Sequence, residues 1–507
     1  MSESFKLAPV LMLLTVLGLF LLVGLASRTR KGEYYLVSGR SIGRMGIGAA
    51  IASNWMSAAS FLGIAGIFYL QGYLALAYVI GWTGGYVLLL ILLARQIRRF
   101  GKYTAPEFVE ARYESHLARF LSALITIFIT LIYCVAQYKG IGLVFAWIFG
   151  LDYIPALFFG CAVVVSYLVL SGSLGASRNP QLQYGLIIVC FLLPLMAIAG
   201  KLGFFWPLPQ FGYGRALQEI AAADGGSLFA SPWANATPYQ WAALCFTLMV
   251  GTAGLPHVLS RFYTVPNVRD ARWSVVWGIF FIGLLYWSAP AYGTFARWCE
   301  MNGGGFAATA EAAPIADLVA IKAAEWAGIP DWLVGVVAVG AIMAAFSTVT
   351  GLLITGAGAV SYDIYYRLLN PKATERQRMK VAKGATLVLA LIVLAAAMKP
   401  PGMIAEITAI AFALAGNTLF PVFLLGIWWD RTNRQGAVAG MLTGIAITLA
   451  GVGASLWWPE LAFWLPATAS AFIGAPLVLL VMVIVSLATA PPPEHLRRFL
   501  ADDVHQP

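Results

Sequence analysis

Charge is what this chain has least of. Only 11% of its 507 residues are Asp, Glu, Lys or Arg, against about 25% in an ordinary soluble domain. That leaves too little polar surface to coat a water-soluble globule of this length, so lipid must be the solvent for most of the exterior. Cysteine is sparse too. Cys134, Cys161, Cys190, Cys245 and Cys299 are scattered with no CxxC, which signals neither a zinc site nor a disulfide framework and reads as small packing groups inside helices. No nucleophile–base set, metal cluster or phosphate loop occurs, so an enzyme is not expected. The net charge of +10 sits almost wholly in short connections between apolar runs. It is topology charge rather than a phosphate-binding patch, and no nucleic acid is expected as a partner.

What remains is hydrophobic, at 60% of residues. About 20 apolar residues cross a bilayer, which gives an all-α integral membrane protein of about thirteen spans. They fall near 6–27, 44–71, 75–96, 118–149, 153–171, 181–203, 238–262, 273–298, 332–366, 378–398, 402–428, 434–457 and 466–488. Loop charges test that count. One set of alternate connections carries 25 Lys and Arg, the opposite set six, with Lys139 alone inside a span. A missed helix would invert every later loop, so the positive-inside rule places the N-terminus outside and the C-terminus in the cytoplasm, in the plasma (inner) membrane. Arg28, Arg30 and Lys31 follow the first apolar run rather than precede it, so that run reads as a retained helix, not a signal peptide. The polar stretches 203–237 and 299–331 read as external loops, the second with a short helix at 313–327. The tail, 491–507, reads as mobile and cytoplasmic.

Two spans are interrupted. The second puts Ser53, Asn54, Ser57 and Ser60 at mid-span, and the seventh contains Gly251-Thr252-Ala253-Gly254-Leu255-Pro256-His257. Pro256 removes a backbone donor and clashes one turn back. Unsatisfied backbone in hydrocarbon costs several kcal/mol per group, so such breaks persist where ions, water or solute meet the freed groups. Spans two to six and seven to eleven each begin with a broken helix, and five helices is an odd number. The second unit therefore enters from the opposite side. Matched breaks in inverted halves point to a secondary transporter with its site at the midplane. The domain reading is a single transporter unit over 1–490, with an extra helix and linker at 1–43, repeats at 44–203 and 238–428, and two C-terminal helices at 434–488. A third polar cluster, Ser347-Thr348-Val349-Thr350, supplies adjacent hydroxyls suited to a small hard cation.

These residues resemble the sodium/solute symporter family, over essentially the whole chain. The markers are Tyr34-Tyr35-Leu36-Val37-Ser38-Gly39-Arg40-Ser41, the stretch 52–66, Tyr103-Thr104-Ala105-Pro106-Glu107-Phe108-Val109, Tyr362-Asp363-Ile364-Tyr365, and Phe420-Pro421-Val422-Phe423 running on to Trp428-Trp429. Trp55-Met56-Ser57-Ala58-Ala59-Ser60 and the run from Gly251 to Pro266 look most like the acetate (monocarboxylate) permease branch. The resemblance implies a cation site for Na+ at the carbonyls of Ala52, Trp55 and Ala344 and the hydroxyls of Ser347 and Thr348. It implies a solute between the broken helices, near Asn54, Ser57, Thr252, Gly254 and His257, with Gln137 and Asn417 as neighbours. It implies symport of Na+ with a small organic solute, with no organic cofactor and no obligate protein partner. The alternatives are proton coupling on the same fold, or another solute such as an amino acid or sugar.

Three positions depart from the family pattern. Asn54 stands where acetate and proline carriers have Asp and sugar carriers have Asn. Ser177-Arg178-Asn179-Pro180 replaces a Trp-Thr-(Asp/Gln) sequence. Lys139 replaces an uncharged residue, and its length favours snorkelling to the outer surface over a place at the solute site. His257 reads as a structural histidine or a carboxylate contact.

Overall fold

The computed structural model describes residues 6–26, 44–100, 104–205, 209–223, 236–262, 268–303 and 316–500, together with 229, 231 and 233. The 34–41 marker, Tyr103, and the side chains of Asn54 and 177–180 lie outside what is described. Every regular element among the described residues is a helix.

The chain begins with α1 (Leu7–Ala26). The first broken span is α2 (Arg44–Trp55), a π turn at Ala59–Gly63 and α3 (Ile64–Gln71). Then come α4 (Leu76–Leu89), α5 (Ala105–Tyr113), α6 (His116–Phe149) and α7 (Tyr153–Lys201). After α8 (Pro209–Ala223), the second broken span is α9 (Pro238–Gly254) and α10 (Pro256–Phe262). Next are α11 (Val268–Tyr286), α12 (Ala289–Met301), α13 (Val319–Trp326) and α14 (Asp331–Gly358), which runs on as a π helix to Leu369. The rest is α15 (Glu375–Ala397), α16 (Ile404–Asn417), α17 (Leu419–Trp428), α18 (Arg434–Trp457), α19 (Pro459–Trp464), α20 (Ala471–Ala488) and α21 (Glu494–Phe499).

Helix starts are set by side chains that accept from orphan backbone N–H groups. Thr104 caps α5, Ser115 caps α6 and Asn433 caps α18, while Thr237 with Gln240 and Thr374 with Gln377 form capping boxes. Gly150 ends α6 with φ 65°, a left-handed geometry that costs glycine little.

Nine helices among the described residues are long and apolar enough to cross a membrane, against the thirteen spans read from hydropathy. The difference lies where helices are short, broken or joined. The apolar helices Leu7–Leu19 and Tyr153–Leu168 are shorter, α9 and α10 split one span, and Ala59–Phe100 joins the end of one span to the next. Three expectations are corrected. Residues 153–201 are continuously helical, so the two apolar stretches there, Tyr153–Leu168 and Leu182–Lys201, are joined without a loop. The connection 203–237 is more ordered than read, carrying α8, whereas α13 in 299–331 falls within the short helix expected there. The tail carries α21, in which Leu496 is buried, as is Leu500 just past its end.

The packing is reciprocal. α4 packs on α9, the first helix of the second half, while α11 packs on α2, the first helix of the first half. The third helices, α6 and α14, pack on each other. Exchange of partners between halves is what a two-fold relation between repeats requires. This places both breaks against the α6–α14 pair.

Candidate functional site

The first break opens because the α2 ladder stops at Trp55 and resumes only beyond Ser57. Three freed backbone groups, Ser57 N, Ala58 N and the Trp55 carbonyl, find polar partners. Ala58 N donates to Gln137 Oε1 of α6 at 2.7 Å. The Ser60 hydroxyl donates to the Trp55 carbonyl at 3.1 Å and meets the Tyr286 hydroxyl at 2.8 Å. The Ser53 and Ser347 hydroxyls lie 2.8 Å apart, joining the last turn of α2 to α14. Ala344, Ser347 and Thr348 are buried at i, i+3 and i+4 of α14, on one face. Ala52 and Trp55 are buried three residues apart on α2. The Ala52 carbonyl accepts from Met56 N at 2.8 Å. One lone pair remains on it, as on any singly bonded carbonyl.

The second break is built from small residues instead. Leu255 is extended (φ −72°, ψ 118°) between α9 and α10. A Cβ at Gly254 would come within 2.6 Å of the Ala415 carbonyl, and one at Gly251 would overlap Phe412. Only glycine lets α9 lie backbone to backbone on α16. The Thr252 hydroxyl donates to Leu248 O at 2.7 Å. His257 is buried, with its ring 5.7 Å from that of Tyr133.

Aromatic rings fill the space between the breaks. Phe412 of α16 contacts Trp55, Trp82 and Tyr133 with centroids 5.7–5.8 Å apart. Trp82 stacks on Tyr286 at 5.7 Å. Among the described residues, the donors Gln137 Nε2 and Trp82 Nε1 are buried without a hydrogen-bond partner.

A profile of the Sodium:solute symporter family matches residues 34–444. The chain belongs to that family. It is 30% identical to an uncharacterized symporter of Cupriavidus necator, across 96% of this chain and 92% of that protein. It is 32% identical to the uncharacterized symporter YwcA of Bacillus subtilis, across 92% and 89%. Its fold is similar to that of a Na+-coupled sialic acid symporter in a substrate-bound outward-open state, with TM-score 0.76, 17% identity, and 96% and 98% of the two chains covered. It also resembles Mhp1, a nucleobase-cation-symport-1 family transporter, in a closed conformation with bromovinylhydantoin bound, at TM-score 0.54 and 11% identity over 92% and 98% of the chains. Family and fold make the chain a multi-pass membrane transporter rather than an enzyme.

Within this symporter, the expected residues divide. Ser347 meets the first break, and Gln137 bridges it to α6. Asn417 serves elsewhere, because its amide nitrogen donates to Thr448 and Ser470, at 2.9 and 3.0 Å, in the C-terminal helices. It marks a third interruption, at Thr418 (φ −118°, ψ −73°), between α16 and α17. The signal for it is Pro421, whose ring clashes with the carbonyl four residues back. Ser53 was marked among the mid-span polar residues but given no site role, and Tyr286, a hydroxyl within an apolar run, was missed. Lys139 does not snorkel to water. Its ammonium pairs with the fully buried Asp317, just before α13, and donates to the Gly402 carbonyl at 2.9 Å.

Proposed function

We propose that the chain is a sodium-coupled symporter for a small monocarboxylate such as acetate, in the plasma membrane with its N-terminus outside. The observation that carries the coupling is the Ser53–Ser347 contact, which sets the broken end of α2 beside the hydroxyls of α14. Na+ bound by the carbonyls of Ala52, Trp55 and Ala344 and the hydroxyls of Ser347 and Thr348 would bridge the two elements. Occupied, that bridge holds α2 against α14 and favours the outward-open state. A state that binds an ion more tightly is stabilised by that differential affinity alone.

The carboxylate reading rests on donors. Gln137 spends its carbonyl oxygen on Ala58 N, so its amide group is left to donate into the space between the breaks. Trp82 Nε1 adds a second N–H. Two donors among aromatic rings suit an anionic acceptor on a small apolar body. Asn54, Ser57, Thr252, Gly254 and His257 complete the assignment, with Asn417 acting through the frame. Labelled acetate uptake into proteoliposomes tests it. A sodium gradient is expected to drive accumulation, and Ser347→Ala with Thr348→Ala to abolish that drive. Accumulation driven by a pH gradient and indifferent to Na+ would replace sodium by the proton, a reading that Asn54 leaves open because it removes a fixed negative charge near the cation.

A further inference from the structure

Beyond α20 the chain runs along the side that loop charge assigns as inner. Two side chains from the connection between α17 and α18 hold its start. Arg431 Nη2 donates to Thr489 O at 2.8 Å, and Asn433 Nδ2 donates to Ala490 O at 2.8 Å. Pro491-Pro492-Pro493 follows. Each proline fixes its own φ and keeps the residue before it extended, so the run is a short stiff rod. It brings α21 to the end of α5. There Leu496 and Leu500 are buried, and His495 Nε2 donates to Glu114 Oε1 at 2.7 Å.

Glu114 is an unusual helix end. Among the described residues it is the only non-glycine with a positive φ, at 45°. Its left-handed backbone closes α5, where glycine fits freely and a Cβ is crowded. A carboxylate at that place serves His495 rather than the helix. The seat itself is shallow. α21 has six residues, too few for a helix to persist alone in water, so its shape depends on docking. A partly open cleft of about 240 Å³ lies where the two meet, lined by Tyr113 and Glu114 of α5 and by Pro492 and Leu496 of the tail. Side chains that face a gap forfeit dispersion contacts on that side. Two leucines and one exposed ion pair make a fastening that can be undone.

What the tail holds is a hub of bonds. Thr104 of α5 donates to Asp363 Oδ1 at 2.8 Å, and Glu107 accepts from the Tyr362 hydroxyl at 2.9 Å, both on the π end of α14. Glu110 pairs with Arg119 of α6, and with His116 and Arg367 at 3.1 and 3.4 Å. Arg112 Nε donates to Gly426 O at 2.7 Å and the Tyr113 hydroxyl to Val422 O at 2.8 Å, both on α17. α5 also packs on α10, the inner half of the second break. Thr104 of α5, Ser260 of α10 and Thr355 of α14 line one partly open space of about 40 Å³. Widening that space into a path means moving α5 away from α10 and α14.

We propose that residues 489–500 are a releasable strap on the inner mouth, an autoinhibitory contact that springs from the C-terminal helices and lands on α5. Its contacts form only where α5 stands as it does here. Docking therefore stabilises this arrangement by that difference alone. Once α21 lets go, it melts, and α5 yields more readily. The strap rests on the family's transport and on neither the ion nor the solute.

Labelling of Ser260→Cys by a soluble maleimide, in the full-length protein in nanodiscs, tests this. The protein with only its five native cysteines gives the blank. Thr355→Cys reports from the same space if Ser260→Cys expresses poorly. Two variants release the strap from opposite sides. Glu114→Gly removes the ion pair while relaxing the backbone, so its melting temperature should hold. Leu496→Ser with Leu500→Ser unseats α21 without altering α5. Both are expected to raise the labelling rate several-fold. Unchanged rates in both overturn the strap. So does a rise in Glu114→Gly alone, which would place the effect in α5 itself. A rise in the leucine variant alone supports the strap, with the leucines as its fastening.

Discussion

The two halves of α6 are fastened in opposite styles. Toward the side that loop charge assigns as outer, Lys139 meets a single carboxylate, and both oxygens of Asp317 are used: Oδ2 by the ammonium and Oδ1 by Ile404 N at 3.2 Å. Ile404 opens α16, so the carboxylate also sits at the positive end of a helix dipole. At the inner end, Arg119 is divided between two carboxylates and leaves one oxygen of Asp363 bare. The outer tie is complete and closes on itself, fixing the outer connection to α6 and α16. The inner tie leaves one carboxylate oxygen without a hydrogen-bond partner among the described residues. Equal numbers of ion pairs would have hidden this; the count of lone pairs left over reveals it.

The largest effect that tests this contrast is Arg119→Met. It strands the fully buried Asp363 and takes from the half-buried Glu110 one of its partners, and removing one partner of a buried pair costs about 3–5 kcal/mol. Thermal unfolding in detergent is expected to show it less stable than any single variant of the outer tie. Lys139→Met strands only one, so it should fall at the lower end, about 3 kcal/mol. Adding Asp317→Asn to it should recover most of that loss, and a double variant as unstable as the single would show that the outer tie is not a closed pair. A subtler difference lies in pH. Burial pushes the Asp317 carboxyl above the usual carboxylate range more strongly than Lys139 pulls it down. Burial also acts to raise Glu110, but Arg119 and Arg367 outweigh it and hold that group low. The signs then oppose. From about pH 4 upward, Asp317 contributes stability that is lost as pH rises through its raised value. Glu110 contributes stability present above the ordinary carboxylate value and lost as pH falls below it. Asp317→Asn and Glu110→Gln should therefore tilt the profile of melting temperature against pH in opposite directions. The smallest effect belongs to Lys6, whose pair with Glu325 at 2.9 Å is partly exposed. Lys6→Met should change stability by no more than about 1 kcal/mol.

Much of the site was readable because its chemistry is local. Serines at mid-span and a Gly-Thr-x-Gly-x-Pro run violate the needs of a helix in lipid within a few residues of sequence. The hydroxyl pair of α14 was readable for the same reason. The outer tie was not, since Lys139 and Asp317 are 178 residues apart and Asp317 sits in a polar loop where an aspartate raises no question. A lysine in a span has a generic escape through its long stem, and only the tertiary partner rules that out. The Thr418 break escaped because Gly416-Asn417-Thr418 lies inside an otherwise apolar run, so hydropathy passed over the proline that follows. The α21 docking was missed because Leu496 and Leu500, one turn apart, are too few to register as a periodic face.

Asn417 has one more implication, for where the functional unit stops. The family profile ends at residue 444, yet the acceptors that satisfy the Asn417 amide, Thr448 and Ser470, both lie past it. Gly444 itself is in contact with the Asn417 carbonyl, where any side chain would collide. A shortened protein trimmed to the shared pattern would carry an orphaned amide into hydrocarbon, at a broken helix that touches α9 through Gly254. The boundary that evolution shares and the boundary that hydrogen bonding permits are different places on this chain. For anyone cutting it down to a minimal carrier, the second is the one to respect.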